Sequence, residues 1–235
     1  MKRSLLTKIA YFIARRNSDS FIRYLRKKGV KIGDGTFIKA PRHILIDLTR
    51  PSLLTIGDHV FLHKDMSILT HDWTGWCFIE MYNDFVPSHK ETVIGNNVWF
   101  GEGVKVLSGV HIGDNCIIGA YSVVTRDIPS NSVAVGIPCK PVHTIQDYYE
   151  RRKNLLIPEL IEYANSIKKR FGRELLKEDF YDDYPAFVDG SNFKEYNYPY
   201  NVVFNEGQFE YWKQYHKAPF NGFDDFLRFI NEQHT

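Results

Sequence analysis

The stretch "TVIGNNVWFGEGVKVLSGVHIGDNCIIGAYSVVTRDI", Thr92–Ile128, places an apolar residue at every sixth position. Neither an α-helix, with a period of 3.6, nor an amphipathic strand, with a period of 2, produces a strict period of six. The recurring residues are Ile94, Phe100, Val106, Ile112, Ile118 and Val124. This period indicates a triangular coil in which each hexad forms one short strand and one turn, with its first residue pointing inward.

Earlier parts of the chain carry the same pattern, at Ile32, Ile38 and Ile44 and again at Ile56, Leu62 and Ile68. Glycine often follows the inward position, and Asn or Asp comes next, as in residues 95–97 and 113–115. These residue types tolerate the positive φ of tight turns. Because one coil cannot bury its own inner face, several must stack. The sequence therefore predicts a mainly β fold, a parallel β-helix of four or five coils over residues 30–143.

The two flanks of the repeat suit the role of covering the open ends of the coil, where backbone groups are exposed. Residues 4–28 are predicted to form a helix ended by Gly29, so residues 1–29 form an N-terminal basic region. Thr144 and Asp147 resemble a capping box for a helix from Ile145. Pro158 suits the first turn of a second helix, which would run to Phe171. Residues 144–235 are thus predicted to be C-terminal helices followed by an aromatic tail.

Residues 180–235 hold 17 of the 35 aromatic residues of the chain. Aromatic rings can stack on sugars, but a short extension with few aliphatic residues can also use them to pack its own core. The composition favours the packing role.

Composition excludes several classes of protein. The three cysteines form no CxxC pair, which argues against a disulfide scaffold and fits a reducing compartment. No run of eighteen apolar residues occurs, and the first residues lack a cleavage pattern, so the predicted location is the cytoplasm. The net charge is only +2, yet residues 1–28 hold nine Lys/Arg and one acid. Such a helix can lie on an anionic inner-membrane surface, or it can simply cover one end of the coil.

The segment "TVIGNNVWFGEGVKVLSGVHIGDNCIIGAYSVVTRDIPSNSVAVGIPCKPV", Thr92–Val142, resembles the hexapeptide-repeat acyltransferases, and within them the galactoside, maltose and xenobiotic acetyltransferase branch. With the earlier coils, the resemblance extends over residues 30–145. The aromatic tail is similar to tails of putative acyltransferases of bacterial surface-polysaccharide synthesis. The resemblance implies a left-handed β-helix, a homotrimer, and acetyl-CoA bound between neighbouring subunits as the acyl donor, with no metal.

The repeat stops at "THDW", Thr70–Trp73, and counting hexads from Ile56 places His71 in an outward turn. An irregular loop over residues 73–92 follows, and the resemblance implies that it reaches over the neighbouring subunit. The histidine at this break matches the catalytic histidine of the family. An imidazole is suited to take the proton of a sugar hydroxyl as it attacks a thioester. Asp72 is adjacent in sequence and is not expected to orient the ring, so the orienting group stays open.

The resemblance also implies the acyl-donor site. The backbone N–H of Glu102 matches the donor to the oxyanion, with Gly101 allowing close approach, and Trp99 would wall the thioester end. The remaining residues would contact pantetheine, phosphates and adenine: Ala120, Thr125, Arg126, Pro138, Lys140 and His143.

Three alternatives remain. An N-acetyltransferase acting on an amino sugar would use the same machinery. A γ-type carbonic anhydrase shares the fold, but His59, His63 and His71 do not form a convincing set of three zinc ligands. A non-catalytic scaffold would need a decayed site, whereas His71, Trp99 and Gly101 are all present. The sequence names neither the acceptor nor the acyl chain length.

Overall fold

The computed structural model describes residues 5–195 and 206–232. The chain divides into two compact units, residues 1–149 and 150–235. In the first unit the chain visits three sheets in rotation, and consecutive visits to a sheet place parallel strands side by side. This rotation through three parallel sheets is the topology of the predicted coil.

The three sheets are built from very short strands. The first sheet contains β1 (Lys31–Ile32), β4 (Leu54–Ile56), β9 (Thr92–Ile94) and β12 (His111–Ile112). The second contains β2 (Phe37–Ile38), β5 (Phe61–Leu62), β10 (Val98–Phe100), β13 (Cys116–Ile118), β15 (Ser132–Gly136) and β16 (Cys139–Thr144). The third contains β3 (Leu45–Ile46), β6 (Ser67–Ile68), β11 (Lys105–Val106) and β14 (Val123–Val124). Only the final pair, β15 with β16, is antiparallel among these strands.

The register confirms the period. In the later coils Trp99 pairs with Ile117 and Lys105 with Val123, each 18 residues or three hexads apart. The predicted inward residues are buried, since the six positions from Ile94 to Val124 are at most 2% exposed. Stacked coils therefore share one aliphatic interior, and hydrogen bonds between their backbones hold them in register.

The corners of the coil use glycine and asparagine for different reasons. Asn97 and Asn115 adopt positive φ, at 53° and 56°, as predicted. Gly95 does not have positive φ; instead a Cβ there would lie 2.5 Å from a carboxylate oxygen of Asp114 in the next coil. The predicted reason was therefore wrong for Gly95, because contact between coils excludes a side chain there. The Asn97 amide donates to Asn115 Oδ1 at 2.9 Å, which continues the stacking at the corner.

At the break in the repeat, the predicted irregular loop over residues 73–92 is partly regular. Strands β7 (His71–Asp72) and β8 (Ser88–His89) pair antiparallel and enclose helix α3 (Gly75–Tyr82). Coil pairing resumes across this insertion, so that Phe61 pairs with Trp99, 38 residues later.

The N-terminal prediction of one helix over residues 4–28 was wrong. The structure has two helices, α1 (Leu5–Ala14) and α2 (Ser18–Lys28). Asn17 causes the division, because its side chain accepts a hydrogen bond from Ser20 N at 2.9 Å and so caps α2. Gly29 ends α2 with φ 102°, as predicted.

Helix α4 (Ile145–Phe171) was predicted as two helices, and the structure contains one. Its start is confirmed, since Thr144 Oγ1 accepts a hydrogen bond from Asp147 N at 3.1 Å. Pro158 lies inside the helix rather than starting a new one. A proline in a helix interior costs about 3 kcal/mol, which burial of Leu160, Ala164 and Ile167 can offset.

The second unit is helical, so helix is more extensive than a mainly β prediction suggests. Two 3₁₀ segments, Lys177–Ala186 and Phe193–Glu195, precede α5 (Glu206–Tyr215) and α6 (Phe223–Glu232). Its core is largely aromatic and includes Phe180, Phe187, Phe220, Phe223 and Phe226. These rings pack against one another, which favours the packing role for the described part of the tail. Residues 196–205 and 233–235 of the tail lie outside the described residues. In the described ranges, no helix is long and apolar enough to cross a membrane.

Candidate active site

His71 lies at the point where the chain leaves the coil. It is on strand β7 rather than in a turn, and its side chain is 15% exposed rather than projecting into solvent. Its Nδ1 atom is 2.5 Å from Oδ2 of Asp47, which is buried. Asp47 follows the inward residue Ile46, and its backbone N–H donates to the carbonyl of Ile68. Stacking of two coils therefore brings this carboxylate to the histidine.

Hydrogen bonds fix the charge and orientation of Asp47. Its Oδ2 accepts from both the backbone N–H (3.1 Å) and the hydroxyl (2.6 Å) of Thr70, and its Oδ1 accepts from Thr49 N at 2.8 Å. Burial by itself raises the pKa of the Asp47 carboxyl, but the bonds from Thr70, Thr49 and His71 together hold that pKa well below its usual range. Asp47 is therefore a carboxylate at neutral pH.

The hydrogen bonds around His71 determine its tautomer. A carboxylate only accepts, so Nδ1 carries a proton and donates it to Asp47. Nε2 accepts a hydrogen bond from the indole N–H of Trp73 at 3.0 Å, which requires an unprotonated Nε2. The ring is thus a neutral imidazole whose basic nitrogen faces an exposed tryptophan. Asp72 plays no part in this arrangement, as predicted, since its Oδ1 instead accepts from Thr74.

Four of the predicted donor-site residues line one cleft. Thr125, Arg126, Pro138 and Lys140 surround a cavity of about 530 Å³. Arg126 and Lys140 are both exposed. A cleft with two accessible cations is chemically suited to hold phosphate groups.

Trp99, Gly101, Glu102 and Ala120 cluster at neighbouring coils of the second sheet. Trp99 is exposed and its ring is stacked on Phe61, with centroids 6.4 Å apart. A Cβ on Gly101 would lie 2.5 Å from the backbone N of Ala120, so Gly101 is required for close contact between coils. The predicted reason, close approach of a ligand, is not needed to explain this glycine.

Glu102 carries an ordered side chain beside a free backbone donor. Its carboxylate lies 3.1 Å from Nζ of Lys64 and accepts from the Tyr121 hydroxyl at 3.1 Å. The bond from Lys64 lowers the pKa of the Glu102 carboxyl. Within the described residues, the backbone N–H of Glu102 makes no hydrogen bond. It is therefore available to a ligand.

His143 is separated from the other predicted cations. It lies on β16 and lines a second cavity of about 480 Å³ together with Ser130, Asn131 and Asp147. His71 is among the lining residues of neither cavity. No three His, Cys, Asp or Glu side chains converge into a metal-binding group in the part of the chain that the structure describes.

Sequence reasoning missed Asp47 and Trp73. Asp47 occupies the position after an inward isoleucine, where the pairing of Ile46 with Ile68 places it beside the residues that follow Ile68. Counting that register would have predicted a buried acid next to Thr70 and His71. Trp73 gave no comparable signal, because its contact with His71 depends on the local path of the chain after the coil.

A chain that passes in rotation through three parallel sheets with a six-residue period resembles the hexapeptide-repeat proteins. Residues 91–126 match the family described as bacterial transferase hexapeptide (six repeats). The predicted resemblance to the galactoside and maltose acetyltransferase branch is also confirmed.

Individual proteins similar to this chain include two galactoside O-acetyltransferases and one solved structure. The chain is 57% identical over 96 residues to a galactoside O-acetyltransferase of Escherichia coli, covering 40% of this chain and 45% of that protein. It is 34% identical over 140 residues to a galactoside O-acetyltransferase of Lactococcus lactis, covering 57% of this chain and 64% of that protein. The chain thus spans about half the length of these relatives. A solved structure of a galactoside acetyltransferase in complex with coenzyme A is 26% identical to this chain. The match covers 63% of this chain and 82% of that chain, with a TM-score of 0.46.

Proposed function

We propose that this protein is an acetyl-CoA-dependent O-acetyltransferase that acts on a sugar hydroxyl, with His71 as general base. The observation that carries the proposal is the bond between His71 Nδ1 and the buried carboxylate of Asp47, which leaves Nε2 as the basic nitrogen. The names of the relatives, galactoside O-acetyltransferases, support both the transferred group and the sugar acceptor.

The reaction follows from these groups. Nε2 of His71 takes the proton of the acceptor hydroxyl while the hydroxyl oxygen attacks the thioester carbonyl of acetyl-CoA. The backbone N–H of Glu102 donates to the oxyanion of the tetrahedral intermediate. Collapse of the intermediate breaks the C–S bond, and His71 returns the proton to the leaving thiolate. Asp47 remains a carboxylate throughout and stabilises the imidazolium. The Trp73 indole must leave Nε2 before the acceptor can bind there.

The cleft around Arg126 and Lys140 is assigned to the donor. Two cations suit the phosphates of coenzyme A, and Thr125 and Pro138 line the same cavity. Trp99 and Ala120 would flank the pantetheine, and His143 would extend the basic surface from its separate cavity.

The assembly is proposed to be a homotrimer. In each chain residues 30–143 form a left-handed β-helix, flanked by the basic N-terminal region 1–29 and the C-terminal region 144–235. Two observations support a shared site. His71 lines neither cavity of its own chain, and the insertion after it exposes Trp76, Met81 and Tyr82, a large apolar surface for a neighbouring subunit. Mixing His71→Ala chains with Arg126→Gln/Lys140→Gln chains should then restore part of the activity. Hybrids no more active than either parent would place the whole site in one subunit.

The acceptor is proposed to be a bacterial surface polysaccharide or its precursor, acetylated in the cytoplasm where acetyl-CoA is available. The similarity of the tail to those of putative polysaccharide acyltransferases supports this class. Among the tail residues that the structure describes, most rings are used in packing, and the exposed Tyr211 and Tyr215 are the candidates for direct contact with glycan. The double variant Tyr211→Ala/Tyr215→Ala should raise KM for the glycan and leave KM for acetyl-CoA unchanged.

Incubation with labelled acetyl-CoA and a panel of simple sugars, nucleotide sugars and glycan fragments tests the activity by mass spectrometry. The expected product loses its acetyl group in mild alkali, as an ester does, and does not form with His71→Ala. An alkali-stable product would identify an N-acetyltransferase. Labelling of no sugar in the panel, with acetyl-CoA demonstrably bound, would reject a sugar acceptor.

A further inference from the structure

One side of helix α1 packs against the first unit. Tyr11 packs against Phe21 and Tyr24, with ring centroids 6.0 and 5.7 Å apart. Ala14 is buried, and Arg15 donates hydrogen bonds to the carbonyls of Pro41 and Ile44 at 2.5 and 2.8 Å. These contacts fix the orientation of the helix, so the direction of its other side is also fixed.

The other side of α1 is apolar and exposed. With 100° between successive residues, its large apolar side chains form one continuous stripe opposite Tyr11 and Ala14. These side chains are between 46% and 78% exposed and are Leu5, Leu6, Ile9, Phe12 and Ile13. Large contiguous apolar surface on a folded protein marks a site of interaction.

Cations border this stripe. Lys8 lies at its edge on the same helix, and the guanidinium carbon of Arg42 is 5.3 Å from the centre of the Phe12 ring. Helix α1 contains no acid, and residues 1–28 hold nine Lys/Arg against one acid.

This pattern of charge selects among possible occupants. A second copy of α1 placed against the stripe would bring Lys8 and Arg42 close to their own counterparts, which is repulsive. A bilayer containing anionic lipid offers acyl chains to the stripe and phosphates to its cationic border. We propose that the outward face of α1 inserts into an anionic membrane surface, with Lys8 and Arg42 at the level of the headgroups. This proposal does not depend on the acetyltransferase activity.

Sedimentation of the full-length protein with vesicles tests the proposal. One set contains phosphatidylcholine alone and the other adds phosphatidylglycerol. We expect pelleting only with the anionic vesicles, and weaker pelleting at high salt because exposed charges are screened. Leu6→Gln/Phe12→Gln, which keeps good helix-forming residues, should reduce the pelleted fraction at least tenfold.

The matched control is Leu176→Gln/Tyr211→Gln, which removes two comparably exposed apolar residues from the second unit and should pellet like the unchanged protein. Circular dichroism and light scattering in the absence of lipid check folding and mass. The proposal is overturned by failure to pellet with anionic vesicles, by equal pelleting with both vesicle types, or by equal losses in the two double variants. A change of mass in Leu6→Gln/Phe12→Gln without lipid would also overturn it, because the stripe would then cover another copy of the chain.

Discussion

The two units of this chain reach a packed interior by opposite means. In the coil, aliphatic residues such as Ile94 and Ile118 repeat at fixed spacing, and backbone hydrogen bonds join each coil to the next. In residues 150–235, Phe180 contacts the rings of Phe187, Phe223 and Phe226 at centroid distances of 5.3–6.0 Å. Small regular residues suit a repeated cross-section, whereas a few large rings can fill an irregular space between short helices.

The comparison also separates chemistry from packing. The first unit contains the buried carboxylate of Asp47 hydrogen-bonded to His71, the backbone N–H of Glu102, which is unpaired among the described residues, and the cleft with two cations, Arg126 and Lys140. In the second unit polar side chains bind one another, for example Arg173, which donates two hydrogen bonds of 2.7 Å to the carboxylate of Asp179. Matched substitutions in the two units therefore test whether catalysis belongs to the coil alone.

The largest effect is expected on stability, at the centre of the aromatic core. Phe226→Ala removes a fully buried ring and should lower the free energy of unfolding by about 3–5 kcal/mol. The counterpart in the coil, Ile118→Ala, should cost about 2–5 kcal/mol. Chemical denaturation measures both, with exposed Tyr211→Ala as control. A Phe226→Ala protein as stable as Tyr211→Ala would refute the view that aromatic packing stabilises the second unit.

Histidine substitutions compare the units for catalysis. His71→Ala should lower kcat by ~10²-fold or more, because a general base contributes ~10²–10⁴ in rate. KM for acetyl-CoA should change little, because in the proposed mechanism Nε2 acts on the acceptor. The control is His216→Ala, which removes a part-buried ring bonded to the Pro185 carbonyl and should change stability rather than kcat. Near-normal turnover by His71→Ala would remove this histidine from the mechanism.

Aspartate substitutions test the orienting group. Asp47→Asn keeps the shape of the side chain but places an uncharged amide beside Nδ1, so kcat should fall roughly tenfold or more. Steady-state kinetics should show the fall in kcat with KM for acetyl-CoA unchanged. Asp179→Asn breaks an ion pair in the second unit and should leave kcat unchanged. If the two variants had equal effects on kcat, Asp47 would have only a structural role.

Arginine substitutions should give the smallest effect. Arg126→Gln removes one exposed cation from the proposed donor cleft and should raise KM for acetyl-CoA about fivefold, which is ~1 kcal/mol. Its control is Arg173→Gln, expected to leave this KM unchanged. A titration with desulfo-coenzyme A would measure affinity directly, and identical affinities in both variants would exclude Arg126 from the donor site.

The predictable part of the fold was the part that repeats. The period of six identified the inward residues, the parallel pairing and the break at His71, because each coil solves the same packing problem. The helices were less predictable, since Asn17 divides one expected helix and Pro158 fails to divide another. In both cases the preference of one residue to end or start a helix competes with the packing of the helix on its neighbours. The sequence alone does not show which of the two contributes more free energy.

The sequence by itself determined a stacked coil, its inward residues, and a histidine placed where the coil opens, because these depend on spacing along the chain. Only the tertiary structure decided that Asp47 holds His71, that Trp73 covers Nε2, and that Arg126 and Lys140 share a cleft while His143 does not. It also decided which side of α1 faces outward. The physical reason is that these contacts join residues from different coils or elements, and stacking register, not spacing along the chain, sets their distances.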